Sequence, residues 1–251
     1  MACMYSMEAV NVDHLVSLTT KFEKERLIDP TSNLADARCF LFSATRDTVV
    51  NTKVVKSAED YLTNYMSKEN VETYYQLEAE HCMPTLNYGE PCDRLESPFI
   101  GDCSYDGAGA VLKSLFPGVD SKGVASNDNY FSFDQTSFIP TTPSAASMDK
   151  TGFLYIPSAC QSGETQCDLH IALHGCEQSY SFVGLDYVEH GGYNSWAEAN
   201  NIVILYPQTV ASTILGNPNG CYDWWGFTGS DYGQKSGVQM KAIKNMVDAF
   251  F

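Results

Sequence analysis

The chain has 251 residues, 44% of them hydrophobic and 18% charged; that is enough apolar material for a sizeable core, and it excludes a disulfide-only miniature scaffold and a disordered acidic tail. Fifteen basic against 31 acidic side chains leave a formal charge of −16, a field that repels phosphate backbones and anionic headgroups, so neither nucleic acid nor a membrane surface is an expected partner. No apolar run approaches the roughly 20 residues a bilayer span needs, and nine cysteines without a Cys-x-x-Cys pair point to disulfides of an oxidising compartment.

In chain order, residues 11–24 read as a short helix and Asp29-Pro30-Thr31-Ser32-Asn33 as a turn cluster. The apolar run 38–44 predicts a strand buried on both faces of a parallel sheet. Helical spacing of Val54, Val55, Ala58, Tyr61, Leu62 and Tyr65 predicts a helix over 53–66, and 71–77 reads as a second strand, completing a βαβ unit. A Gly/Pro/Asn-rich loop over 83–101 leads to a capped helix at 102–115. Residues 117–150 form a polar connecting segment with one aromatic strand at 130–138. Strands follow at 152–156, 169–173 and 202–206, with a helix at 192–200. A closing amphipathic helix over 234–250 should bury Val238, Ile243, Met246, Val247 and Phe250. Alternating strands and helices predict an α/β sheet fold.

Three sites lie just past the carboxyl ends of predicted strands, where open α/β sheets place their ligands. Asp47 offers a carboxylate that can hold an imidazole tautomer, although a turn or N-cap aspartate is the plain alternative. His81 follows one helix and one strand later, in the acid-then-histidine order of α/β-hydrolase triads. In Leu173-His174-Gly175-Cys176-Glu177-Gln178 a glycine turn could present backbone N–H groups to an oxyanion, unless Gly175 is only a turn and Cys176 only half of a disulfide. The four-residue spacing of His170 and His174 on a strand suits core packing better than zinc, and no metal or cofactor is expected. A hydrolase of this kind needs a serine on a strained turn, normally Gly-x-Ser-x-Gly, and that pentapeptide does not occur; Ser6 and Gly229-Ser230-Asp231-Tyr232-Gly233 do not supply it.

Several motifs in one order, Asp47-Thr48-Val49-Val50, His81-Cys82-Met83-Pro84-Thr85, Ser97-Pro98-Phe99-Ile100-Gly101-Asp102-Cys103-Ser104-Tyr105-Asp106-Gly107-Ala108-Gly109-Ala110, the His174-Gly175-Cys176 segment, Gly192-Tyr193-Asn194-Ser195-Trp196-Ala197, Leu205-Tyr206-Pro207-Gln208 and Asn217-Pro218-Asn219-Gly220-Cys221-Tyr222-Asp223-Trp224-Trp225-Gly226, resemble extracellular poly(3-hydroxybutyrate) depolymerases over nearly the whole chain from Cys3 onward. Because Asp47 and His81 precede the oxyanion segment, the chain resembles the circularly permuted, fungal-type branch, whose nucleophile lies in a Gly-Leu-Ser-x-Gly-Gly elbow ahead of the segment matching Cys3. The resemblance implies an α/β-hydrolase-like fold in permuted order, lacking the nucleophile-elbow strand and helix. It also implies one incomplete domain over 1–251, made of an acid/histidine half (1–116), a connecting segment (117–150) and an oxyanion-hole half (151–251). The opening Met1-Ala2-Cys3-Met4-Tyr5-Ser6 has neither a basic nor an apolar leader region, which reads as a truncated beginning.

Carried over position by position, the resemblance implies that Asp47 orients His81, that His81 is general base and then acid, and that the Cys176 N–H donates to the oxyanion. Tyr222 matches the family's polymer-binding tryptophan, and with Trp224 is the expected substrate contact. Expected disulfides are Cys92–Cys103, Cys160–Cys167 and Cys176–Cys221, each worth on the order of 3 kcal/mol; Cys3, Cys39 and Cys82 have no assigned partner. The expected protein is a secreted monomer, a serine esterase acting on polyester or short-chain hydroxyalkanoate esters and inactive without its serine. The alternative is a non-catalytic polyester- or carbohydrate-binding relative using its aromatic surface.

Overall fold

The computed structural model describes Met4 and residues 10–251, so expectations about Cys3 and Ser6 lie outside the described residues. The chain divides into two compact units, the first ending at Gly118 and the second running from Val119 to Phe251.

In the first unit, helix α1 (Val12–Lys24) starts where the Asn11 side chain accepts from the His14 amide at 2.9 Å. Asp13 in its first turn and Lys21 and Lys24 in its last complement the helix dipole. Strand β1 (Cys39–Phe42), helix α2 (Thr52–Leu62) and strand β2 (Val71–Tyr74) form a parallel β-α-β unit, with Cys39 opposite Val71 and Phe42 opposite Tyr74. Here β1 is half-buried rather than buried on both faces, because among the described residues its sheet contains only β1 and β2. Helix α2 stops at Leu62, short of the expected 66. The Asn64 side-chain amide takes up the Asp60 and Tyr61 carbonyls, which satisfies the helix end locally.

Strands β3 (Met83–Thr85), β4 (Glu90–Pro91) and β5 (Ile100–Asp102) make a small parallel sheet in the order β3-β5-β4. Helix α3 (Gly107–Leu115), capped by Asp106 accepting from the Gly109 amide at 2.9 Å, packs on β1 and β3. A side chain at Gly107 would put its Cβ 2.7 Å from the Pro84 carbonyl oxygen, so only glycine allows that approach.

The second unit is built on a four-stranded sheet in the order β6-β7-β9-β8, from β6 (Tyr130–Asp134), β7 (Thr151–Tyr155), β8 (Asp168–Ile171) and β9 (Ile202–Tyr206). Only β8 and β9 pair in parallel, and all five residues of β9 are buried. The expected strand at 130–138 is cut at Asp134, whose carboxylate accepts from the Thr136 amide and hydroxyl at 2.9 and 2.6 Å and turns the chain into a short 3-10 stretch. Helix α4 (Tyr193–Asn200) packs on β9.

Helix α5 (Val238–Phe250) begins four residues later than expected and buries Gln239, Ala242 and Met246. Val238 and Val247 pack beside the core of Ile139, Met148, Leu154 and Leu205, while Phe250 remains 37% exposed against Phe133. The polar Gln239 is buried because its amide donates to the Ala146 carbonyl and its oxygen accepts from the Asp223 amide, both at 2.8 Å.

Candidate active site

The first unit brings Asp47 and His81 together. Three backbone hydrogen bonds run past the end of the β1–β2 ladder: Ser43 N–H to the Tyr74 carbonyl, Thr45 N–H to that of Leu77 and Arg46 N–H to that of Ala79, at 3.2, 2.8 and 3.1 Å. These bonds tie the two chain segments together to within two residues of the acid and the histidine. Asp47 Oδ1 accepts from the Val49 and Val50 amides at 2.9 and 2.7 Å, and Oδ2 lies 2.8 Å from His81 Nδ1. With one oxygen locked by amides, the other can only receive the Nδ1 proton, which leaves Nε2 as an acceptor.

The Asp47 side chain is 10% exposed and the His81 ring 46% exposed, so the acid is sheltered and the base is open to a reactant. Burial alone would raise the Asp47 carboxyl; the His81 hydrogen bond and charge and the two amides outweigh it, holding the group below the ordinary carboxylate range. Beside this pair sits Glu80, 9% exposed. One of its oxygens accepts from the Thr48 amide at 3.2 Å and the His81 amide at 2.8 Å. Cys82 is a half-buried free thiol pushed up to about 11 by burial and the nearby Asp47 and Glu80 charges, with its sulfur 4.0 Å from that of Cys103.

In the second unit the chain leaving β8 turns at His174-Gly175-Cys176. Buried His174 places Nδ1 2.7 Å from the Gly175 carbonyl oxygen, so Nδ1–H donates there and Nε2 accepts from the Thr209 amide at 3.2 Å. Thr209 Oγ1 in turn donates to the Gly220 carbonyl. Burial pulls His174 down to about 4, in keeping with a neutral imidazole serving as a brace. The flanking amides are committed, Gly175 N–H to the Gln178 side-chain oxygen at 2.9 Å and Glu177 N–H to the Asn219 carbonyl at 2.7 Å, and the Cys176 N–H lies between them on the same turn.

Disulfides join Cys176 to Cys221, Cys92 to Cys103 and Cys160 to Cys167. Cys39, like Cys82, is a free thiol. His170, with its ring against Tyr193 at 5.2 Å, is held near 4 by burial, and no group of three or more potential metal ligands occurs among the described residues.

Tyr222 is half-buried, its hydroxyl donating to the Pro207 carbonyl at 2.6 Å and its ring 4.9 Å from that of His174. Trp224 and Trp225 are 48% and 41% exposed and meet edge to face at 5.1 Å. They stand on a loop wound around Asp223, whose carboxylate accepts from the amides of Trp225, Gly226, Phe227 and Thr228 and from the Thr228 hydroxyl. An aspartate with a glycine three residues on is a turn signature in sequence, so this anchor was legible there; Thr209 and Gln239 carry no comparable mark.

No protein-family profile matches the chain. It is 41% identical over 249 residues to a poly(3-hydroxybutyrate) depolymerase of Delftia acidovorans, a match covering 98% of this chain and 49% of that protein. To a polyhydroxybutyrate depolymerase of Talaromyces funiculosus it is 38% identical over 233 residues, covering 88% of this chain and 68% of that one. The chain thus spans about half the length of the first relative. Among solved structures it is similar, with a TM-score of 0.90 and 35% identity, to the crystal structure of a PHB depolymerase from Penicillium funiculosum, over 98% of this chain and 80% of that one. The same values hold for a PHB depolymerase with a serine replaced by alanine, complexed with R3HB trimer.

Proposed function

The chain belongs to the polyhydroxybutyrate depolymerase family, and on that premise we propose that its residues supply the acid–base and oxyanion groups of a secreted serine-type esterase. The observation that carries this reading is the Asp47–His81 hydrogen bond at 2.8 Å, with a sheltered acid and an open imidazole. His81 Nε2 takes the proton of a serine hydroxyl as its oxygen attacks the ester carbonyl, and the oxyanion accepts from the Cys176 N–H. His81 then returns the proton to the departing alkoxide, and the cycle repeats with water to release the acid. Asp47 holds the tautomer and faces the imidazolium that forms.

No Gly-x-Ser-x-Gly occurs in these 251 residues, and on this reading the hydroxyl is supplied from outside them and the chain by itself is expected not to turn over esters. The substrate class is a 3-hydroxybutyrate polyester or a short-chain ester, contacted at Tyr222 and Trp224. Three disulfides suit an extracellular location. The working parts are an acid/histidine half at 1–116, a connection at 117–150 and an oxyanion half at 151–251, acting as a monomer.

The purified chain is expected to hydrolyse p-nitrophenyl butyrate no faster than its His81→Ala variant. Fusion ahead of the chain of a segment carrying the family's Gly-Leu-Ser-x-Gly-Gly elbow should produce hydrolysis, which Asp47→Asn then lowers by about 10⁴. Turnover by the unfused chain that depends on His81 would refute the missing nucleophile, and turnover by the fusion that ignores Asp47 would refute the relay. The exposure of Trp224 and Trp225 favours a second reading, a non-catalytic binder of polyester or carbohydrate. Granule binding that is lost in Trp224→Ala, together with an inert fusion, would select it.

A further inference from the structure

A second carboxylate beside a catalytic acid has a cost. Glu80 is buried next to Asp47, and the like charge opposes its ionisation. Yet its carboxyl is held below the ordinary range: burial pushes it up, but hydrogen bonds from the Thr48 side chain and amide and from the His81 amide more than offset this. Such bonds from amides to an ionised acceptor are stronger than those to a neutral one, which is what the charge gains in return for the repulsion.

Where the bonds go is informative. The backbone pairing between the two segments ends at Arg46 and Ala79, one residue short of Asp47 and two short of His81. Beyond that point Glu80 Oε2 receives the Thr48 N–H from one segment and the His81 N–H from the other, at 3.2 and 2.8 Å. Glu80 is itself fixed, since its own N–H donates to the carbonyl of Cys92 at 2.8 Å and Cys92 is disulfide-bonded to Cys103. A chain of contacts therefore runs from the disulfide through the Glu80 backbone and carboxylate to the backbones carrying the acid and the base.

We propose that Glu80 is a positioning residue of the Asp47–His81 pair, clamping the acid loop to the histidine backbone through a single buried carboxylate oxygen. The inference rests on the esterase reading of that pair, but its test does not depend on ester turnover. A histidine Nδ1–H held by a carboxylate gives a low-field proton resonance, and His81 Nδ1 lies 2.8 Å from Asp47 Oδ2.

In the 251-residue chain at neutral pH, that resonance should be present in the wild type and absent in Glu80→Ala, with far-UV circular dichroism and disulfide pairing unchanged. Glu80→Gln, whose side-chain oxygen can still accept both amides, should keep it. A purely structural role for Glu80 would lower the unfolding midpoint and leave the resonance in place. Its persistence in Glu80→Ala, or its loss in the well-folded Glu80→Gln, overturns the clamp. Neither result bears on whether the fusion hydrolyses esters, so failure here and failure of the esterase reading are separate outcomes.

Discussion

The two strand-end sites are built on opposite charge logic. In the first unit, Asp47 and Glu80 do their holding as ionised carboxylates, each accepting backbone N–H groups. In the second, the turn at Cys176 is braced by an imidazole that must stay neutral, because His174 Nε2 has to accept from Thr209, and by a covalent link to Cys221. One arrangement needs charge to exist and the other needs it to be absent. The two units should therefore respond differently to covalent damage and to acid.

Breaking the covalent brace should produce the largest effect. Cys176–Cys221 closes a loop of sequence separation 45, and replacing both cysteines by alanine should cost the second unit about 4 kcal/mol. Hydrogen-exchange protection of β8 and β9 amides should fall accordingly while that of β1 and β2 holds; equal loss in both would dissolve the contrast.

Acid sharpens the comparison next. His170 and His174 are lowered from 6.5 to about 4 by burial, so below pH 6.5 the unfolded chain takes up protons that the folded unit refuses. Stability is then lost as pH falls from 6.5 to 4, on the order of 3 kcal/mol per imidazole. Asp47 and Glu80 have the opposite sign: their folded values lie below the ordinary 3.8 and 4.5, so their contribution is intact above those values and disappears as pH drops through the folded ones. Between pH 7 and 5, protection should decline in β8 and β9 and stay level in β1 and β2, and His170→Phe should flatten the decline.

The smallest effect is expected at the rim of the first site. Arg46 and Glu78 pair at 2.6 Å with both side chains more than half exposed, so Arg46→Ala should change the unfolding free energy by no more than about 1 kcal/mol in a denaturant titration, and salt should shrink even that.

Periodicity and apolar runs located most of the elements, because hydrophobic patterning is a local property; the departures came where side chains competed for the backbone, as Asn64 does at the end of α2 and Asp134 does at the end of β6. The order of Asp47, His81 and His174-Gly175-Cys176, each just past a predicted strand, was legible along the chain, and the family resemblance of those motifs implied the esterase reading. What no linear pattern could decide is which neighbours finish each site. Glu80 is a charged residue among many in an acidic chain, and Thr209 and Gln239 are ordinary polar residues; their roles exist only because folding buries them against unpaired amides, carbonyls or ring nitrogens that water can no longer reach.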